Sequence, residues 1–403
     1  MKKKDLLNEI MGVPKAIDNW VDSLSYIIAG MAKGITQKDE IEESEIQYPN
    51  PKTGKEETNF AYRGKSKMSG KEVMEWVLKL GGYSDLKDLL KDPNFRSFPL
   101  YQPSLSVTLI FFPDEIWNAE FNNKDIADAY HGYTPDNMKL AKLGGDNIVF
   151  TGQQFGFKAF LPKSWLDNLD VEEFRKLIKP VISHEMTHAY EVYMRYKGKE
   201  DPYMGRETFL NAAVKMMKDV KYPQWNDFLH LVYLHLSFEI NARITQLYYE
   251  MQKRGISTQE EFMQELKKSG VWREIKMLED FDAEEFINSF KYKDLGLFGM
   301  LDDLGKQMER QQKGLPPIIQ IKSPEGGMKH LIDGWDYVLQ MLNHELSKDG
   351  IYKGKLMDAV PPSAKKDPRV FFKFFEKRFH KKAEGFKRKV LRVASLLLDE
   401  NSN

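Results

Sequence analysis

Two histidines and a glutamate within five consecutive residues are the part of this sequence best suited to chemistry. They form the stretch His184-Glu185-Met186-Thr187-His188. If the stretch is helical, residues four apart project from one face on successive turns, so both imidazoles can reach one metal ion. Imidazole nitrogens bind Zn²⁺ at about 2.0–2.1 Å. Glu185 follows the first histidine directly, where it can act as a general base without being a ligand.

Apolar flanking residues indicate that the helix with this stretch is buried. Val181 and Ile182 precede it, and Ala189, Tyr190 and Val192 follow it. Imidazoles on a buried helix need polar partners, which a metal ion would supply. The alternative is a pair of core histidines satisfied by hydrogen bonds. We expect a zinc site.

The composition limits which ligands and partners the chain can use. It has 403 residues, 60 Lys and Arg, 60 Asp and Glu, and no cysteine. Disulfides and thiolate-bound zinc are therefore excluded, and a metal site must be built from histidine and carboxylate. A net charge of zero selects no class of partner. The length predicts two to three domains, or one domain with elaborations.

Neither a secretory signal nor a membrane span is predicted. The chain begins Met1-Lys2-Lys3-Lys4, but polar residues interrupt the following segment too early for a signal peptide. No run of 18 apolar residues occurs. We expect an intracellular (cytoplasmic) or virion-associated protein.

The first part of the chain is predicted to hold a helix over 14–32, a long polar loop or linker over 35–66, and a second helix from Ser69. Ser69 and Glu72 form a capping box. The residues expected to face inward in the second helix are Val73, Trp76 and Leu80.

Strands are predicted over 105–112, ending at Pro113, and over 148–150 and 155–161. The last two lie just before the metal helix. They either present backbone groups to an extended substrate or are plain sheet structure.

After Asp170 the pattern is mainly helical, starting with the capping signature Asp170-x-x-Glu173. Pro180 either kinks a long helix or opens the metal helix. Further helices are predicted over 207–220, 225–253, 258–268, 327–347 and 368–398. The fold class is α+β, predominantly helical, with a small sheet before the metal-binding helix. The predicted domains are an N-terminal helix and linker (1–68), a catalytic core (69–255) and a helical region (256–403).

A third metal ligand is needed, and two glutamates compete for this role. Glu239 lies among apolar residues on a predicted helix, where a carboxylate needs a partner. Glu207 follows a polar loop and is typical of a solvated first-turn residue. Ala242, three residues after Glu239, would allow close approach to the metal helix. We favour Glu239.

The combination of His184-Glu185-x-x-His188 with Glu239-x-x-Ala242 resembles the gluzincin zinc metallopeptidases. The longer stretches 183–190 and 238–243 are similar to peptidase-like proteins of tailed bacteriophages. The resemblance covers residues 145–255 and implies a zincin-like core, with His184, His188 and Glu239 as ligands and Glu185 as base. Some gluzincins carry an aspartate four residues after the ligand glutamate. Here that residue is Arg243, so the surroundings of the ligands must differ.

A peptidase also needs a donor to stabilise the developing oxyanion. The candidates are Tyr190, Tyr233, His235 and Arg243. His235 is preferred because it precedes Glu239 by four residues and so shares its helical face. A core histidine bonded to the backbone is the alternative for His235.

A basic amphipathic helix is predicted near the C-terminus. Residues 365–392 contain 12 Lys and Arg against three acids, and Phe and Val recur at helical spacing. Nucleic acid, an acidic protein or a membrane surface could bind it. We favour instead a helix docked on its own core by the Phe residues, with a solvated charged face.

Two functions from different classes remain. The first is a zinc-dependent peptidase acting on a peptide or protein substrate, and the intact Glu185 favours it. The second is a structural or binding protein, such as a virion component, that keeps the fold with little or no turnover. A weaker third interpretation makes the basic helix the main function.

Overall fold

The computed structural model describes residues 15–37, 41–49, 56–89, 91–92, 100–101, 103–121, 127–133, 139–142, 148–151, 153–197, 223–234, 237–289 and 360–400. The helices are α1 (Lys15–Thr36), α2 (Gly70–Gly81), α3 (Leu86–Leu89), α4 (Asp114–Phe121), α5 (Ser164–Asp167), α6 (Val171–Lys197), α7 (Pro223–Leu234), α8 (Ser237–Lys253), α9 (Gln259–Lys268), α10 (Gly270–Glu279), α11 (Ala283–Ser289) and α12 (Pro368–Glu400), with a 3₁₀ turn at Ala364–Lys366. The strands are β1 (Glu42–Pro49), β2 (Glu56–Met68), β3 (Leu100–Tyr101), β4 (Ser104–Phe112), β5 (Ala127–Tyr133), β6 (Lys139–Lys142), β7 (Ile148–Thr151) and β8 (Gln153–Pro162). The predicted α+β class is confirmed.

The main sheet has five strands in the order β1-β2-β4-β8-β5. β4 and β8 are parallel, and the other neighbours are antiparallel. Alternate residues of the two central strands are buried, as the sequence predicts for a sheet covered on one face. These residues are Leu105, Val107, Leu109, Phe111, Phe155, Phe157, Ala159 and Leu161. A smaller sheet has the order β3-β7-β6.

The predicted linker over 35–66 is wrong, because β1 and β2 occupy much of it. The two strands form an antiparallel pair from Glu42↔Arg63 to Pro49↔Glu56, and β2 then pairs with β4. The side chains of β1 from Glu42 to Tyr48 are exposed or half-buried. Backbone hydrogen bonds define such an edge strand, so it lacks the alternation of apolar residues that reveals a buried one.

Of the two strands considered for substrate pairing, which are β7 and β8, β8 is paired on both sides. Residues 154–162 pair with β4, and residues 153–159 pair with β5. The backbone groups of β8 are therefore used within the sheet, and the plain-sheet alternative holds for this strand. Within the described strands, β5 forms the edge of the sheet on this side.

Helices α1 and α6 are joined through one charged and aromatic cluster. The Arg175 guanidinium lies 3.4 Å from the centre of the Tyr26 ring and donates to the Ser25 hydroxyl at 3.3 Å. Asp22 pairs with Lys179 at 2.5 Å. The predicted apolar face of α1 is confirmed, since its members are at most 3% exposed: Ile17, Trp20, Val21, Leu24, Ile27 and Ile28.

The start of α2 is predicted correctly but its buried face is not. The Ser69 hydroxyl accepts from the Glu72 amide, and the Glu72 carboxylate accepts from the Ser69 amide, so the capping box is present. Val73 is buried, but Trp76 and Leu80 are 44% and 42% exposed. The remaining buried residues are Met74 and Val77. The cap fixes where a helix begins, whereas neighbouring elements fix its rotation.

Backbone contacts divide the chain into two compact units. The first comprises residues 1–194, 241–257 and 396–403, and the second comprises 195–240 and 258–395. β1 and β2 belong to the first unit. The three predicted domain ranges stay a prediction, because a compact unit of contacts is not in itself a separately folding domain.

The core of the second unit is aromatic. Phe228 on α7 is surrounded by rings with centroids 5.1–6.4 Å away: Phe281, Phe286, Phe371, Phe372, Phe375 and Phe379. Four of these rings lie on α12, which confirms that its Phe residues dock on a core.

None of the described helices combines the length and the hydrophobicity that a membrane-spanning helix requires.

Only some of the helices predicted for the second half of the chain can be compared with the structure. The helices predicted over 258–268 and 368–398 are confirmed as α9 and α12. The helix predicted over 225–253 is helical in all of its described residues, as α7 and α8, and residues 235–236 lie outside the described part of the chain. α10 and α11 are additional. The predictions for 207–220 and 327–347 also lie outside the described residues.

Phe375→Ala should lower the free energy of unfolding by about 3–5 kcal/mol, since it removes a ring buried in this core. Phe375 is 1% exposed. Leu391→Ala is the control on the same helix, because Leu391 is 45% exposed. Its effect should stay within about 0.5 kcal/mol. Denaturant unfolding measures both, and equal effects would contradict the docking of the Phe face.

Candidate metal centre

The two histidines predicted as ligands converge at their Nε2 atoms. The distance between His184 Nε2 and His188 Nε2 is 3.2 Å, and their rings are nearly perpendicular, at 88°. Two nitrogens that bind one tetrahedral Zn²⁺ at about 2.0–2.1 Å lie about 3.3 Å apart. The separation therefore fits a shared metal ion. It also fits a hydrogen bond between the rings, in which one Nε2 carries a proton.

Glu185 belongs to the same group of donor atoms. One ligand atom from each of His184, Glu185 and His188 lies within 4.8 Å of the others. His184 is buried, at 8% exposed, while Glu185 and His188 are half-buried. In an α-helix these last two lie within about 60° of each other around the axis. The group is therefore accessible from the side that Glu185 and His188 share.

The remaining polar residues of this part of α6 are satisfied within the helix. Ser183 and Thr187 are fully buried. The Ser183 hydroxyl donates to the Pro180 carbonyl at 2.7 Å, and the Thr187 hydroxyl donates to the Ser183 carbonyl at 2.8 Å. Pro180 lies inside α6, so the metal helix does not begin there.

Helix α8 is attached to α6 through polar contacts near both ends of α6. The Asn241 amide donates to Glu191 at 3.0 Å, and the Lys253 ammonium lies 3.2 Å from Glu173. Since the numbering rises along one helix as it falls along the other, this part of α8 runs antiparallel to α6. Glu191 comes seven residues after His184 and shares its face. The seven-residue spacing is the signal in the sequence that places Glu191 on the face of His184.

α1 also holds α8. The Tyr249 hydroxyl donates to the Asp18 carboxylate. Burial, together with the nearby Asp18 carboxylate, raises the pKa of Tyr249 well above its ordinary value. The phenol therefore stays protonated and remains a donor at physiological pH. α1, α6 and the part of α8 from Asn241 onward are thus connected within the first unit.

The other predicted site residues are located as follows. Glu239 is on α8 and 1% exposed, as expected for an apolar neighbourhood, but the group of donor atoms in the described residues does not include it. Its assignment as third ligand stays a prediction. Glu207 and His235 lie outside the described residues. The Arg243 guanidinium donates to the Gln246 side chain at 3.3 Å.

A cavity of about 720 Å³ lies elsewhere, in the second unit between α11 and α12. Its lining residues include Ile287, Pro361, Val370 and Phe374, and none of the candidate ligands. The assignment of the metal centre therefore rests on the convergence of the donor atoms, which is a direct requirement of metal binding, and not on cavity size.

Comparison with protein-family models, with curated proteins and with solved structures finds no match to this chain. The resemblance to gluzincins consequently stays at the level of the motif residues. The structural support for a metal centre comes from His184, Glu185 and His188 alone.

The protein should bind about one Zn²⁺ per chain through His184 and His188. Replacing a residue that only hydrogen-bonds to a metal ligand typically lowers metal affinity roughly 10–100-fold. His184→Ala removes a ligand itself and should lower the zinc affinity by more than that. His230→Ala is the control, because its ring packs against Tyr233 in the second unit. Titration with zinc and metal analysis after dialysis measure both variants. A folded wild type that retains no zinc would contradict the assignment and favour a hydrogen-bonded pair.

Proposed function

We propose that this protein is a zinc-dependent peptidase. The observation that carries the proposal is the 3.2 Å separation of the His184 and His188 Nε2 atoms, with the Glu185 carboxylate in the same group. The histidines supply two ligands of the kind that zinc prefers. Glu185 supplies a carboxylate beside them, which a purely structural zinc site does not need.

The reaction requires Glu185 to move a proton. A bound Zn²⁺ would lower the pKa of its water and polarise the peptide carbonyl. Glu185 would accept the proton of the attacking water and transfer it to the leaving amine. Its half-buried position suits this role, because the carboxylate is next to the ligands and still reachable from outside.

We propose Glu239 as the third ligand, with Glu207 as its competitor. Support for Glu239 comes from its burial on α8. His235, which lies outside the described residues, stays the proposed oxyanion donor. The zincin-like core belongs to the same proposal, supported by the sheet that precedes α6 in the chain.

Peptide substrates of such enzymes bind in extended form, which requires an open strand edge. β8 does not provide one, since both of its edges are paired. β5, the edge strand on that side, is the better candidate within the described sheet. We propose that an extended substrate pairs with β5.

A second candidate is a metal-binding protein without turnover. The observation that favours it is that Glu185 lies close enough to both histidines to be a ligand itself. A Glu185 carboxylate bound to the metal would not serve as the base. The two functions therefore differ in what Glu185 does.

Glu185→Gln separates these two functions. For the peptidase, the variant should keep its zinc affinity and lose peptide hydrolysis by about 10²–10⁴-fold, the usual contribution of general-base catalysis. Glutamine is nearly isosteric but cannot take the proton at neutral pH. Cleavage of a broad peptide library and zinc titration give the two measurements.

The matched control is Glu191→Gln on the same helix, where the new amide oxygen can still accept from Asn241. It should leave hydrolysis within a few-fold of wild type. A large loss of zinc affinity in Glu185→Gln would make Glu185 a ligand and favour the second candidate. A zinc-loaded wild type that cleaves no peptide would also overturn the peptidase.

Glu239→Ala should weaken zinc binding far more than Glu207→Ala, because a buried carboxylate is the better placed of the two to complete the site. Zinc titration of both variants, with circular dichroism to verify folding, makes the comparison. The opposite ranking would transfer the ligand role to Glu207.

A further inference from the structure

The exposed face of α12 carries a row of cations. The row consists of six exposed residues, four or seven positions apart: Arg369, Lys373, Lys377, Lys381, Arg388 and Arg392. At about 100° per residue they fall within about 140° of the helix surface. We call them the cationic row.

The opposite face of α12 is fully committed to the protein core. Its apolar residues are at most 1% exposed: Phe371, Phe372, Phe375, Phe379, Phe386, Val390 and Val393. A helix that binds a membrane surface must insert an apolar face between the lipids. Only Val370 and Leu391 are exposed large apolar residues of the described α12, and they are 21 positions apart. The helix therefore has no continuous apolar face to insert.

Much of the positive charge in the row is not neutralised by the described residues. Among these, Lys377, Lys381, Arg388 and Arg392 form no ion pair, whereas Lys373 lies 2.6 Å from Glu376. The row therefore keeps at least four positive charges without an acidic partner in the described part of the chain.

Acidic residues of the neighbouring helices are nearest to the first part of the row. A hydrogen bond to Glu376 raises the pKa of Lys373, and the nearby carboxylates of Asp282 and Glu284 raise it further. Hydrogen bonds from Lys276 and Lys387 lower the pKa of Glu279 to about 2, so that carboxylate is already engaged. On the exposed face of α12, Glu384 is the acid that interrupts the row. The four cations without an ion pair lie on both sides of it.

The dimensions of the row fit a regular polyanion. Four residues of helix rise about 6 Å, and the 23 steps from Arg369 to Arg392 span about 35 Å. One turn of duplex DNA is about 34–36 Å long and carries charges at regular intervals on each strand.

We propose that the cationic row binds the phosphate backbone of nucleic acid without reading its sequence. Lys and Arg contacts to phosphate position a protein on nucleic acid but carry no sequence information. The proposal is independent of the metal centre. It uses only the face of α12 that its docking leaves exposed.

The test compares two variants that each lose four positive charges. The first is K377Q/K381Q/R388Q/R392Q in the row. The second, K67Q/K87Q/K176Q/K267Q, removes exposed lysines that form no ion pair in the described residues and lie outside α12. Fluorescence anisotropy of a labelled duplex of about 20 base pairs, and of the matching single strand, measures affinity from about 50 to 200 mM salt.

Wild type should bind, and the row variant should lose at least about tenfold in affinity at the lowest salt. Its slope of log K against log salt should fall by about 3–4, since each phosphate contact contributes about 0.9. The control variant should keep most of the wild-type slope. Both variants should have the melting temperature of wild type, because all the substituted side chains are exposed.

Three results would overturn the proposal. The first is a wild type that binds neither nucleic acid. The second is a control variant that loses as much affinity as the row variant, which would indicate an effect of net charge only. The third is binding to vesicles of phosphatidylcholine with about 30% phosphatidylserine that depends on the row, without nucleic-acid binding, which would assign this face to a membrane. Tighter binding to the duplex or to the single strand supports the proposal and identifies the preferred form.

Discussion

The burial of α6 is the constraint on which the metal centre depends. From Ile178 to Ala189 most positions of this helix are buried, so each polar group there needs a partner. Ser183 and Thr187 meet this need with backbone carbonyls of their own helix. The Nε2 atoms of the two imidazoles lie 3.2 Å apart, a separation that a shared metal ion also satisfies.

The position of α6 is in turn fixed by contacts on several sides. Its first half packs on the sheet, where the Phe174 ring lies 6.0 Å from that of Phe157. Asp22 of α1 joins Lys179, and Lys253 and Asn241 of α8 reach Glu173 and Glu191. These contacts hold α6 on both sides of the stretch 184–188, in which Glu185 and His188 are half-buried.

Local signals in the sequence were sufficient for the elements that depend on neighbours along the chain. The capping box at Ser69 and the apolar face of α1 are of this kind, and so is the spacing of His184 and His188. Features that depend on distant pairing were missed. β1 is recognisable only through its partner β2, and the exposure of Trp76 reflects which side of α2 meets the sheet.

The third ligand shows the same limit at the level of chemistry. The apolar neighbours of Glu239 correctly predict its burial. Burial implies that the carboxylate has a partner, but it does not identify that partner. Asn241, which reaches Glu191, is only two positions away, and two positions correspond to about 200° around a helix. Which side of α8 faces which element is set by tertiary packing, so a ligand role cannot be read from the residues around Glu239 alone. Zinc binding by variants at Glu239 tests directly whether the partner is a metal ion. The hydrophobicity of the surrounding sequence shows only that a carboxylate without a partner would be costly there.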